Sequence, residues 1–360
     1  MRFVDEYRDE RKVQTVLEEI RRQADEPLRL MEVCGTHTVS IARYGLRRLL
    51  PETIQLISGP GCPVCVTSQG ELDRAIALAG LPEAAVVTFG DMLRVPGSNS
   101  SLVQERARGG DVRVVYSPLD GLKMAEEDRP RKIIFLGIGF ETTAPAVAAT
   151  ILEARRRGVG NFFVFSAHKT VPGALRALLD LGEIRLDGFL LPGHVSAIIG
   201  CRPYEFLARE YGLGGVISGF EPLDILQSIL MLVRQRKEGA PRVEIQYRRG
   251  VEQGGNPRAR EVMERVFAPA EAEWRGLGRI AGTGLVLRKE WADMDADRVF
   301  EVPAQPAPEP RGCRCGEVLR GARQPAECPL FGRACSPRRP LGPCMVSSEG
   351  SCAAAFKYGA

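Results

Sequence analysis

The sequence lacks long hydrophobic runs. No apolar stretch approaches the roughly 18 residues needed to cross a bilayer, and the opening segment, MRFVDEYRDERK, is charged from its second residue, with none of the apolar core of a secretory leader. A cytoplasmic chain is expected. A block of one charge is also missing: Lys plus Arg number 49 against 45 Asp plus Glu, a surplus of 4 over 360 residues. Neither nucleic acid nor a membrane is the expected partner. No Gly-rich lysine loop for nucleotide phosphates occurs. LGIGFETT at 136–143 has two glycines of a dinucleotide loop but not the third, and RRRGVGN at 155–161 stands where the ribose-binding acid would fall. A nicotinamide cofactor is set aside.

What the sequence has is sulfur. Six of its ten cysteines crowd the last 48 residues in the order CxCx12Cx6Cx8Cx7C, among prolines and glycines. So little apolar surface cannot hold a segment together, and a covalent or coordinative link must do so. In a reducing compartment, closely spaced cysteines bind metal or do redox work more often than they form permanent staples. Four thiolates suit zinc or iron, and the irregular spacing departs from the paired CxxC of zinc ribbons. A [4Fe–4S] centre beside a redox disulfide accounts for all six.

The body reads as α/β. Eight short runs rich in β-branched and aromatic residues, at 28–33, 54–58, 85–89, 112–116, 132–137, 162–166, 188–191 and 216–218, alternate with amphipathic stretches, the pattern of a mostly parallel sheet. The charged stretch 123–132 divides the eight into two sets of four. Two similar mostly parallel-sheet α/β halves facing a cleft are expected, at 1–126 and 127–241, with a small cysteine-rich iron–sulfur C-terminal domain at 242–360. In that last part a strand is expected at 243–247, a helix at 257–267, a strand at 282–287 and a proline-rich semi-rigid connector at 302–311.

Open parallel sheets bind ligands outside the carboxyl ends of their strands. Cys34 with His37, the loop GPGCPVC at 59–65, His168 with Lys169, and His194 all follow strand candidates, so all three histidines are placed at one edge. Cys34 precedes a helix start, a position that lowers a thiol pKa and suits it to ligate iron or attack an electrophile. His37 is a second ligand, a proton carrier or a helix cap. Cys62 and Cys65 form a CxxC with no second pair in the body, which favours a dithiol/disulfide couple over zinc. Cys201 follows an apolar run and reads as packing. Glu141, His168 and His194 are further acid, base or ligand candidates, His194 having room beside Gly193 and Ser196.

The spacing of the tail resembles the thiol-reducing site of ferredoxin:thioredoxin reductases. That likeness implies Cys313, Cys328, Cys335 and Cys344 as cluster ligands, with Cys315 and Cys352 as the neighbouring redox disulfide, the assignment within the six staying open. Taken together, MEVCGTHT (31–38), SGPGCPVC (58–65), FGDMLRVPGS (89–98), GIGFETTAP (137–145), LLPGHVSAIIG (190–200), GFEPLDIL (219–226) and the tail from Cys328 to Tyr358 resemble the HypD family of hydrogenase maturation factors. Members often carry another histidine where Val39 stands here.

The resemblance implies a scaffold on which the transient Fe(CN)2CO unit of [NiFe]-hydrogenases is assembled, with Cys34 as iron ligand, Cys62 and Cys65 as redox pair, His194 and Glu349 as supporting groups, and the tail [4Fe–4S] cluster as electron source. It further implies a HypC-type chaperone sharing the iron and a HypE-type donor of cyanide made by HypF, the chain being monomeric apart from these. Low-spin iron with strong-field ligands needs a soft thiolate and reducing equivalents. Two other readings of the residues are a stand-alone iron–sulfur disulfide reductase and a colourless zinc assembly module.

Overall fold

The computed structural model describes residues 5–302 and 309–359. Its strands are β1 (Leu28–Glu32), β2 (Ile54–Ser58), β3 (Ala84–Thr88), β4 (Asp111–Val114), β5 (Lys132–Gly137), β6 (Phe162–Ser166), β7 (Gly188–Pro192), β8 (Gly214–Ser218), β9 (Val243–Ile245), β10 (Phe267–Trp274) and β11 (Gly278–Leu287). Sequences such as KIIFLG in β5 and FFVFS in β6 have no polar face, as parallel strands covered on both sides require. The helices between them start on local signals: Ser68 and Ser117 close capping boxes with Glu71 and Asp120, and Pro222 opens the long helix Pro222–Glu238.

Nine strands make two all-parallel sheets, in the orders β2-β1-β7-β8-β9 and β4-β3-β5-β6, while β10 and β11 pair as an antiparallel hairpin. The α/β class with two parallel-sheet halves is therefore as expected, but the strands are shared out differently. The expected boundary at 126/127 cuts the four-stranded sheet, where β3 pairs with β5 (Val86↔Ile134). The boundary at 241/242 cuts the five-stranded one, where β9 pairs with β8. The chain builds two strands of the first sheet, makes the whole of the second, then returns for β7 to β9. Local periodicity specifies that a strand exists; which strand it pairs with is decided by long-range packing, and the charged stretch 123–132 is only the end of helix Pro118–Glu127 and its turn. The central residues of the expected connector, 303–308, lie outside the described residues.

Side chains alternate across each sheet. Leu30, Leu190 and Val216 face the helices Glu10–Gln23 and Pro222–Glu238 in one apolar cluster, and Ile133, Phe135 and Phe162 face helix Ala144–Arg156 in another. The opposite faces, with Met31, Ile57, Phe189 and Leu191 from one sheet and Ile134, Leu136, Phe163 and Phe165 from the other, merge into a third cluster that also contains Cys62, Cys65, Cys315 and Cys344. The tail is thus packed into the core between the sheets rather than set apart from it. Among the described residues, no helix is long and apolar enough to cross a membrane.

Candidate metal and thiol site

Cys34 takes an extended conformation (φ −150°, ψ 124°) as the N-cap of helix Gly35–Arg43, two residues beyond the end of β1. The loop after β2 lies directly against it. The Gly35 amide donates to the Gly61 carbonyl at 3.0 Å, and a Cβ on Gly61 would stand 2.2 Å from the Cys34 nitrogen. Gly35 is equally confined, since a Cβ there would meet the Glu349 Cβ at 2.4 Å. Two glycines thus permit three backbone segments to close on one thiol.

Cys34, Thr36, Gly61 and Pro63 line a cleft of about 330 Å³ together with Phe140, Thr142, His194 and Glu349. The Thr36 hydroxyl donates to Glu349 Oε1 at 2.8 Å, and His194 stacks on Phe220 with ring centres 3.9 Å apart. Burial lowers the His194 pKa, favouring a neutral imidazole with a free lone pair. Burial also raises the Glu349 carboxyl, against the pull of Thr36.

The expectation that the helix start lowers the Cys34 pKa is corrected. Burial, with the Glu349 carboxylate as the second cause, pushes the thiol up to about 12, and the His37 and Thr36 amides offset this only in part. The residue is 7% exposed. At such a site desolvation outweighs a helix terminus, so a thiolate here needs a cation bound to it.

Cys62 and Cys65 are joined as a disulfide across the turn Pro63–Val66, and the Cys65 amide donates to Cys62 Sγ at 3.2 Å. Both are buried, 4% and 0% exposed. The tail helices Cys315–Leu319 and Pro343–Val346 pack onto this turn, and helix Ser351–Tyr358 packs along Gly35–Arg43. The residues that carry thiols in the tail therefore abut both loops of the front half.

All six tail cysteines, on five separate segments, line one pocket with Val318, Leu330, Phe331 and Met345. All six are free thiols, Cys315 and Cys352 included. Cys315 shares hydrogen bonds with Cys313 and Cys344, and the Leu341 amide donates to Cys335 Sγ at 3.4 Å. Among the described residues, no three His, Cys, Asp or Glu side chains converge closely enough to hold one ion. A polynuclear cluster asks for something else, a ring of soft thiolates around a larger body, with backbone amides directed at sulfur. The donor set fits such a group.

The other candidates are not brought together. His37 is fully buried beside β8, its Nε2–H directed at the carbonyls of Gly219 (3.0 Å) and Ser218 (3.3 Å) while Nδ1 has no partner. Burial pulls its pKa down to about 4, so it is neutral. His168, expected at the same edge as Cys34, lies instead at the end of β6 in the other sheet, on a second cleft of about 830 Å³ with Glu71, Arg74 and Asp297. Its neighbour Lys169 is buried and bonded to Glu71 at 2.7 Å. Glu141 is enclosed and accepts from the Val171 amide at 3.0 Å, and the Cys201 thiol donates to the Gln253 carbonyl at 3.6 Å, a packed residue as expected.

One residue of the site was not anticipated. Glu32 is fully buried at the end of β1, accepting from the Thr38 hydroxyl at 2.6 Å and from the Cys34 amide at 3.4 Å. A lone carboxylate in the apolar run LRLMEV was the signal for it.

A family model described as "Hydrogenase formation hypA family", HypD, matches residues 11–359. The chain is 47% identical to the hydrogenase maturation factor HypD of Escherichia coli K12, over 99% of this chain and 98% of that one. It is 48% identical to the HypD of Azotobacter vinelandii, over 100% and 97%. An archaeal relative, a putative hydrogenase expression/formation protein of Methanocaldococcus jannaschii, is 41% identical over 96% and 97%.

Proposed function

The chain belongs to the HypD family of hydrogenase maturation factors, and on that premise we propose that it is the scaffold on which the Fe(CN)2CO unit of a [NiFe]-hydrogenase is built. The observation that carries this reading is the packing of the tail sulfur pocket onto the Cys62–Cys65 turn, whose preceding residue, Gly61, touches the Cys34 backbone.

Iron is the cargo and Cys34 its ligand. Binding releases the thiol proton, and Glu349, raised by burial and close enough to act on Cys34, is placed to receive it. His194 and Thr36 line the same cleft as Cys34, which opens to solvent and leaves the iron's other positions to cyanide, to carbonyl and to a HypC-type chaperone. A HypE-type protein delivers the cyanide at that mouth.

A [4Fe–4S] cluster would be held by four of the six tail thiols, and would relay electrons one at a time from an external one-electron donor. Two electrons so delivered, with two protons, would convert the Cys62–Cys65 disulfide to two thiols; re-forming the disulfide would release two protons and pass two electrons to the iron unit at Cys34. A stand-alone disulfide reductase fits less well, because a pair with 4% and 0% exposure is closed to a protein substrate.

Replacing Cys34 by Ala tests the reading. The variant, purified anaerobically with its small chaperone, is expected to lose the cyanide and carbonyl infrared bands while keeping the iron and sulfide of the tail. Persistence of those bands overturns Cys34 as the ligand.

A further inference from the structure

Helix Gly35–Arg43, which Cys34 caps, stops at a glycine in the left-handed region: Gly45 (φ 63°) breaks it and opens the short helix Leu46–Leu49. The turn brings Arg43, Arg47 and Arg48 into the lining of one cleft of about 360 Å³, to which no Asp or Glu contributes. Among the described residues none of the three arginines forms an ion pair. Arg43 lies over the Tyr44 ring at 5.6 Å. Arg47 donates one Nη to the Ser58 hydroxyl at 3.2 Å, while its other Nη is buried with no partner. Glu32 attracts Arg47 without lining the cleft, but that carboxyl is already held by the Thr38 hydroxyl and the Cys34 amide. Three guanidiniums with no facing carboxylate repel one another, and a buried donor without an acceptor is costly.

The rest of the lining comes largely from the tail. Helix Ser351–Tyr358, which contains Cys352 and packs along Gly35–Arg43, contributes Ser351, Ala354, Ala355 and Tyr358. With Ile41 these residues give the cleft an apolar and aromatic part in addition to its cationic one. Its size falls within the range of small-molecule pockets, roughly 300–1,000 Å³, and exceeds the needs of a bare ion. A guanidinium fork pairs with two oxygens of one phosphate, and a phosphate monoester carries ~2 negative charges at pH 7 against the single charge of a carboxylate. Three unpaired arginines match the former.

We propose that this cleft binds a phosphate monoester of a small organic molecule, its phosphate on the unpartnered Nη of Arg47 with Arg43 and Arg48 adding charge, and its organic part against Ile41, Ala354 and Tyr358. Such a ligand touches both the helix that Cys34 caps and the helix that carries Cys352. Binding therefore braces the seam between the front of the chain and its tail. The inference goes beyond the scaffold function and does not depend on it, since no residue it uses is a cysteine and no electron transfer enters it.

The probes are phenyl phosphate and inorganic phosphate, titrated by calorimetry into the full chain purified anaerobically. Phenyl phosphate is expected to bind about tenfold more tightly than inorganic phosphate, because only the ester reaches the apolar part of the cleft. Arg47→Gln is expected to weaken phenyl phosphate about tenfold, and Arg43→Gln or Arg48→Gln about threefold each, since those two side chains are exposed and screened. Hydrogen exchange of the amides at 351–358 is expected to slow several-fold when phenyl phosphate is bound. Equal affinity for the two probes means an adventitious ion only; that result, failure of both probes to bind, or an Arg47→Gln affinity equal to wild type overturns the proposal. Binding without slower exchange at 351–358 places the ligand elsewhere and overturns it too. Should Arg47→Gln fail to fold, Ala355→Glu carries the test by putting a carboxylate among the cleft's lining residues: loss of binding with unchanged circular dichroism is expected, and unchanged affinity overturns the proposal. None of these measurements reads iron, so the scaffold function above can fail without this site failing, and the reverse.

Discussion

Cys34 sits where a regular strand passes into a nine-residue helix, held by backbone-to-backbone contacts with Gly61. The six tail cysteines sit on turns and short helices, Cys315–Leu319, Pro343–Val346 and Ser351–Tyr358, the longest of eight residues. The first thiol is placed by the same apolar periodicity that builds the sheets, so its geometry precedes any metal. The tail's backbone hydrogen bonds close short turns and short helices rather than a sheet ladder, and its sulfurs face a shared pocket. Its order depends on what joins them and on the core it leans against.

The sharpest way to break this comparison is to strip the metal that the proposed function places in the tail. Under anaerobic chelation the tail is expected to become sensitive to protease beyond residue 311, while the far-ultraviolet circular dichroism of the two sheets persists. Simultaneous loss of both signals would show that the body depends on the tail as much as the tail does on the proposed metal. The converse perturbation is Gly61→Ala. Its Cβ would meet backbone atoms of Val33 and Cys34 at 2.3 and 2.2 Å, which no side-chain rotation relieves. A destabilisation of about 3 kcal/mol is expected in denaturant titrations, with loss of iron at Cys34 and unchanged tail iron.

The same difference explains what could be read in advance. Strands β1 to β8 were visible because buried parallel strands are continuous apolar runs, and the loops after them located Cys34, Cys62, Cys65 and His194. The pairing of β1 with β7 and of β3 with β5 was not, since residues 28–32 and 188–192 carry no local mark of one another. Strand β10, FAPAEAEW, alternates small and acidic residues and has only Phe267, Ala272 and Trp274 buried, so it escaped notice. His168 was misplaced for a related reason: following a strand locates a residue at a sheet edge, but not which of two sheets.

Glu141 separates folding electrostatics from the site. Burial raises its pKa from 4.5 to about 7. With the folded value above the unfolded one, the native state binds this proton more tightly, so the contribution is fully favourable below pH 4.5 and is lost as pH rises through 7. Glu141→Gln cannot ionise. Relative to wild type it is expected to gain about 3 kcal/mol on going from pH 4.5 to pH 8, measured by urea unfolding at both values, with iron retention at Cys34 unaltered. A gain independent of pH would mean that Glu141 is ionised within the fold at both.

The smallest effect concerns the imidazole over Phe220. Loss of the stack between His194 and Phe220, 3.9 Å between centres and 21° between planes, is expected to cost about 1 kcal/mol in His194→Ala. His194→Phe preserves an aromatic face there and is expected to hold stability within about 0.5 kcal/mol of wild type. Both variants remove the nitrogen lone pair that burial keeps unprotonated, so both are expected to retain several-fold less iron at Cys34, by metal analysis of anaerobic protein, while tail iron is unchanged. If the phenylalanine variant keeps its iron, His194 contributes a wall to the cleft and nothing to the metal.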